Sequence, residues 1–190
     1  MYAAQFAYGR VEFYDAVVNA TYANINIVER ELGVAPQQLP FQEVIIPVFD
    51  YDHSRIGLTV MDGNFCSVMP RGKENGRFLL HHVVNSMLRQ NYGEHIENKL
   101  NGAAPEDVAR AFRESSDFMP FLANVRLVDL LCTVHAIPSN PSDERVSEIN
   151  TYEHFPRHFS VLSGIIATCM NVALRIKKSL ATQTVPLAIA

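Results

Sequence analysis

An α+β fold is predicted for this chain of 190 residues, and three observations predict it. A β-branched apolar segment near the N-terminus runs into a short helix signal. A dense series of strand signals separated by tight-turn chemistry follows, which is the pattern of an antiparallel meander. Helices, one long strand and a last helix then close the chain. Strands and helices are thus grouped rather than strictly alternating, and an antiparallel or mixed sheet with flanking helices is expected.

Val11–Ala20, interrupted only by Asp15, is too continuously apolar for a half-exposed strand and is predicted as one strand buried on both faces. Only ten residues precede Val11, too few for an earlier strand of a nucleotide-binding sheet. Asn24–Leu32 is predicted as a short helix ended by Gly33, and Ala35–Pro40 as a connector. Phe41–Tyr51 is the first strand of the meander, with Pro47 expected at an edge or a bulge. Ile56–Met61 and Phe65–Met69 follow, separated by the Asp62-Gly63-Asn64 turn, and the loop Gly72–Gly76 leads to the strand Arg77–Val84. Asn85–Leu100 is expected to be helical. A second helix starts at Pro105, with proline first and Glu106 and Asp107 in the first turn, and runs to Ser115. Val125–Pro138 is a long strand, Ser139–Asp143 a proline-punctuated loop, and Ile165–Leu180 the final helix.

Composition removes several function classes. Hydrophobic residues make up 48% and charged residues 19%, a globular balance. A net charge of −4 leaves no electrostatic footprint for nucleic acid, and the one dense basic cluster, Arg175, Lys177 and Lys178, suits a helix end. Cys66, Cys132 and Cys169 are scattered, which argues for a reducing compartment. The N-terminus lacks the basic start and apolar run of a signal peptide. The longest apolar run, Phe159–Leu174, spans sixteen residues, short of the roughly 20 of a membrane helix. A soluble, cytoplasmic protein is expected.

Few places could carry chemistry. Ser163-Gly164 before a helix would let a ligand approach backbone N–H groups, or simply turn the chain into a packed helix. Asn19-Ala20-Thr21 combines small and polar groups at a strand end, suited to a nucleotide or to capping the next helix. Arg71, just past Pro70, could grip a carboxylate, or be a solvated surface residue. His81 and His82 lie on one strand and point to opposite faces, so one faces core or cleft and the other solvent. Glu153, His154 and His158 resemble a metal cluster, but Pro156 breaks their spacing, and no metal site is predicted. No GxSxG elbow is present. Cys66 with His81 or His82 is a conceivable thiol–imidazole pair that nothing in the sequence enforces, so Cys66 is read as a small buried residue.

Taken together, these segments resemble the C-terminal part of FAD-dependent oxidoreductases of the D-amino-acid oxidase (DAO) superfamily. Asp15-Ala16-Val17-Val18-Asn19-Ala20-Thr21-Tyr22 is similar to the DxVVNAxG strand that ends the family's FAD-binding domain. Phe65–Pro70, the Gly72–Gly76 loop and Phe78–His82 are similar to its antiparallel substrate domain. Asp143–Ile149 looks like the family's DxRPxI, and Val161–Thr168 like the glycine-plus-helix segment that covers the flavin. The resemblance spans Val11 to Lys178. Three departures stand out: Thr21-Tyr22 replaces the glycine after Asn-Ala, Ile165 replaces a lysine often found after the late glycine, and none of the nine glycines forms GxGxxG.

The resemblance implies residues 1–34 as a remnant of the FAD-binding domain, 35–150 as the substrate domain and 151–190 as a flavin-facing segment and helix. It implies FAD as cofactor of the intact enzyme, with Asn19, Ala20, Thr21, Ser163, Gly164 and Ile165 beside it. Arg71 and Arg145 would hold an anionic substrate, and His81 or His82 would assist proton transfer. The implied reaction is oxidation of a small amine- or hydroxy-bearing molecule. Without GxGxxG the chain alone is expected to bind FAD poorly, and a separately encoded N-terminal half is the expected partner. The competing expectation is a non-catalytic α+β binding module that has lost the cofactor.

Overall fold

A computed structural model describes residues 1–63, 65–73, 76–93, 105–138, 147–163 and 166–183. The chain forms two compact units. One comprises Met1–Pro40, Tyr92–His95 and Ala136–Ala190, the other Phe41–Asn91 and Ile96–His135, each as far as its residues are described. The sheets are antiparallel and mixed with helices packed on them, an α+β fold as the sequence predicts. Segments 1–34 and 151–190, far apart in sequence, share the first unit.

In that unit, β1 (Tyr2–Gln5) and β2 (Val11–Tyr14) form an antiparallel hairpin pairing Tyr2 with Tyr14 and Gln5 with Val11. The turn is closed by hydrogen bonds from Gly9 N to Phe6 O and from Phe6 N to Arg10 O, both 2.8 Å. This corrects one expectation: Val11–Ala20 is not one buried strand. It breaks at Asp15-Ala16 into β2, whose Val11 and Phe13 are exposed, and β3 (Val17–Asn19).

β3 is the edge of a three-stranded sheet ordered β10–β11–β3, where β10 is Ser147–Tyr152 and β11 is Phe155–Ser163. β10 and β11 are antiparallel, while β11 and β3 are parallel, with His158, Phe159 and Ser160 opposite Val17, Val18 and Asn19. α1 (Ile25–Glu31) follows β3 after a 3₁₀ turn and ends where Gly33 adopts φ +71°. There Val34 N donates to Glu29 O at 2.8 Å, a left-handed termination suited to glycine. α3 (Cys169–Thr182) enters through a 3₁₀ turn at Ile166–Thr168 and starts four residues after the predicted Ile165. Its Val172, Ile176 and Leu180, at helical spacing, pack with Phe159, Ile149 and Val161.

The second unit is a six-stranded sheet. β5 (Leu58–Thr59), β6 (Cys66–Pro70), β7 (Arg77–His82), β4 (Pro40–Asp50) and β8 (Met87–Tyr92) lie in that order, and β9 (Arg126–Ala136) also pairs with β4. The meander is antiparallel as expected: Cys66 to Pro70 face His82 to Phe78, and Val48 faces Leu79. Pro47 lies where the partner strand is interrupted. β7 pairs at Val48–Asp50, the chain then turns through Val83–Ser86, and contact with β4 resumes where Ile45 N donates to Ser86 O at 2.8 Å. A proline with no N–H to give fits that gap.

α2 (Pro105–Ser116) covers one face of the sheet. It buries Val108, Ala111 and Ser115, and Ala111 joins Phe49, Phe78, Leu80, Val68, Met119 and Leu122 in the core. The helix expected over Asn85–Leu100 is corrected in its described part, where Met87–Tyr92 is strand β8. Among the described residues, no helix is long and apolar enough to cross a membrane.

Candidate functional site

The first unit brings the two predicted cofactor-facing segments together. Because β3 and β11 run parallel in register, Ala20-Thr21 and Ser163 leave the same end of the sheet. A cavity of about 350 Å³ opens there, lined by Val18, Ala20, Tyr22, Ser163, Cys169 and Val172 among others. Ser163 is part of a hydroxyl cluster: Ser147 Oγ donates to it at 2.7 Å, and Thr168 Oγ1 lies 3.0 Å away. Gly164 and Ile165 lie outside the described residues, as does Arg145.

Asn19 is placed differently from Ala20 and Ser163. It is buried, and its amide is occupied within the chain: Nδ2 donates to Ile25 O at 3.0 Å and to Glu29 Oε1 at 2.7 Å. Its Oδ1 accepts from Thr21 Oγ1 at 2.7 Å and Thr21 N at 3.3 Å. Asn19 and Thr21 thus shape the strand-to-helix corner, without a side-chain cap on the helix that follows. Tyr22, next in line, has φ +55°, the one non-glycine residue with positive φ among those described. The glycine of the resembled DxVVNAxG pattern would take this conformation without strain. Burial pushes the Tyr22 hydroxyl up from its ordinary pKa, and a backbone hydrogen bond with Ala136 opposes the shift.

Behind this corner sits a polar cluster that the sequence did not reveal. Glu29 and His158 are both wholly buried, with His158 Nε2 3.4 Å from Glu29 Oε1. The carboxylate accepts from Asn19 and from Ser160 Oγ. Tyr152 stacks on the His158 ring at 4.8 Å and hydrogen-bonds Gln37, Ser160 and Glu29. Burial raises the Tyr152 hydroxyl above its usual range. Glu29 lies on a charged-looking helix, and its partner Ser160 is 131 residues away, so no local signal marks the cluster.

In the second unit, His82 is fully buried and its ring is held through Nδ1, with Glu114 near Nε2. Nδ1 accepts from Asn85 N at 3.1 Å and Val84 N at 3.3 Å, and Nε2 lies 3.4 Å from Glu114 Oε2. Burial holds its pKa below the ordinary value, with Glu114 pulling the other way. Cys66 is its ladder partner and is itself buried, so the thiol–imidazole pair is a core contact and Cys66 a small buried residue, as read. His81 points to the other face and is half-buried, with the His135 ring 6.4 Å away. Its pKa is lowered by burial first, then by His135 and His82. Burial lowers His135 as well. Arg71 lies 3.3 Å from Asp129. Among the described residues no three His, Cys, Asp or Glu side chains gather as a metal site.

The chain thus holds a six-stranded, meander-based sheet in one unit and a mixed sheet with a parallel edge in the other. Solved structures similar to it include oxidases and dehydrogenases. Glycine oxidase from Geobacillus kaustophilus matches with a TM-score of 0.64 at 13% identity, over 98% of this chain and 47% of its own. L-proline dehydrogenase from P. horikoshii matches with 0.65 at 12% identity, over 98% and 48%. An FAD-dependent oxidoreductase from Pseudomonas aeruginosa matches with 0.53 at 16%, over 92% and 48%. The chain therefore shares its fold with these structures and spans about half the length of each. No family model and no curated protein matches the sequence.

The described residues do not make up an FAD site by themselves. The 350 Å³ cavity is largely apolar, Asn19 is spent internally, and the sequence holds no GxGxxG cradle for the pyrophosphate.

Proposed function

We propose that the chain is the C-terminal portion of an FAD-dependent oxidoreductase acting on a small amine- or hydroxy-bearing substrate, inactive without its N-terminal FAD-binding half. The likeness over 98% of this chain to half of an amino-acid oxidase carries this reading. Ala20, Thr21, Ser163, Gly164 and Ile165 would line the flavin-facing edge, with Asn19 supporting that edge from beneath. The flavin, when bound by the complete protein, supplies the electron acceptor. Arg71 and Arg145 are assigned to an anionic substrate group, and Arg71 would exchange Asp129 for it. Of the histidine pair, His81 takes the proton-handling role, because both His82 nitrogens are already directed at chain groups. Three free cysteines fit a reducing, cytoplasmic setting.

The experiment is co-production of this chain with a GxGxxG-bearing DAO-type N-terminal segment encoded beside it. Co-purification with stoichiometric flavin supports the reading, and a chain that binds FAD stoichiometrically by itself defeats the claim of an incomplete site. The second reading, a cofactor-less binding module, is favoured by Tyr22 at a left-handed glycine-type position. It gains if no flavin is retained under either condition.

A further inference from the structure

The sheet face opposite α2 holds a pair of histidines, His81 and His135. Leu80 and His82 point to the α2 side and are fully buried, so His81 between them points away. Its ladder partner Ser67 and the neighbouring pair Met69–Leu79 share its face, where Val48 opposite Leu79 is buried and Met69 is 48% exposed, so the face is open on its β6 side. His135 on β9 brings its ring to 6.4 Å from that of His81, tilted 31°. No hydrogen bond or ion pair to a described residue engages either ring. Two half-buried imidazoles therefore meet on a partly open, partly apolar face with their nitrogens uncommitted.

A neutral imidazole offers one acceptor nitrogen and one N–H. Partial burial and mutual repulsion both act against charging either ring. The groups bearing on His81 are His135 across the face and His82 behind it, while the flanking strands present Ser67 and Val48. Two neutral acceptors at this spacing suit an ammonium group, which donates up to three hydrogen bonds, and give an anion no positive partner.

We propose that His81 and His135 form a double-imidazole acceptor for the ammonium group of an amine substrate. This rests on the amine-oxidising reading only for its substrate class. Each ring accepts a hydrogen bond from an ammonium N–H through its unprotonated nitrogen, no N–H bond is broken, and the amine stays protonated in the complex. His135 acts with His81 rather than through it, since both rings contact the ligand.

The test uses the full chain, with imidazole NMR signals followed against pH and against butylammonium or butyrate. Saturable shifts of both rings with butylammonium, weakening as pH falls and the rings protonate, are expected, with none from butyrate. His81→Asn and His135→Asn should each weaken the amine about tenfold, with unchanged His82 signals reporting an intact core. His135→Asn should also raise the His81 protonation constant by about threefold, the water-screened repulsion at this separation. No saturable amine shift, a preference for butyrate, or an unmoved His81 titration in His135→Asn overturns the proposal. Flavin uptake with an N-terminal half is scored separately. Amine binding without uptake sustains the pair and defeats the flavoenzyme reading, and uptake without amine binding does the reverse.

Discussion

Single residues decide how the β3–α1 corner is held. Tyr22 occupies φ +55°, where an L side chain costs about 1–2 kcal/mol. The usual order of alanine over glycine should therefore reverse: Tyr22→Gly should be more stable than Tyr22→Ala by about 1 kcal/mol in urea unfolding. An unchanged order would mean the corner relaxes. Glu29 concentrates more of the energy. Removing its carboxylate takes an acceptor from Asn19 Nδ2 and Ser160 Oγ and leaves His158 without its nearest carboxylate. Glu29→Ala should cost about 3–5 kcal/mol, and amide exchange should rise first in β3 and β11. A loss under about 1 kcal/mol would show that the cluster is not structural. Neither residue was legible from sequence as a structural pivot. Tyr22 could be flagged only as a departure from a pattern, and Glu29 reads as one more surface carboxylate until its distant partners are known.

At the scale of elements, what the sequence shows depends on what holds each strand. β6 and β7 are readable because glycine and asparagine turns bracket them and because Phe78, Leu80 and His82 alternate with half-buried neighbours. β8 is not, since most of Met87–Tyr92 is exposed and its strand character comes from pairing with β4. β2 fails for a similar reason: its apolar side chains suggest burial, yet it sits in a hairpin with Phe13 67% exposed. The long β4 and β9 are visible as continuous β-branched runs, while His135 within β9 gives no local hint of meeting His81. β3 is a three-residue parallel edge with Val18 half exposed beside the cavity. Such an edge invites pairing with another chain. Val18→Lys should lower concentration-dependent self-association in analytical ultracentrifugation without changing the circular dichroism spectrum. Equal association of both proteins would place the sticky surface elsewhere.

Across the molecule, three histidines of the second unit make stability depend on pH. His81, His82 and His135 are all held below the ordinary value of 6.5, with burial the largest cause in each. The unfolded chain binds protons on them at a higher pH than the folded chain does. Stability is thus full above about pH 7 and falls as acidification passes 6.5 toward the lowered folded values. The urea midpoint should drop between pH 7.5 and 5.5, and His81→Asn should flatten that drop; identical slopes would remove His81 from the linkage. The fold class was legible because strand-rich and helix-rich stretches are grouped along the chain. The division into units was less so, because residues 1–40 and 136–190 join only through pairings such as Ser160 with Asn19, which no local pattern announces.

The Glu29–His158 cluster also bears on how this sequence can drift. Positions 19, 29, 158 and 160 come from three elements yet share one carboxylate, so each constrains what the others can become. In a library of variants selected only for folding, single changes at Glu29 or His158 should be rare survivors. Paired apolar replacements should be over-represented against the product of the singles, because deleting both polar partners leaves neither buried alone. The corner would evolve as a set, with its members locked in sequence by a contact that spans most of the chain.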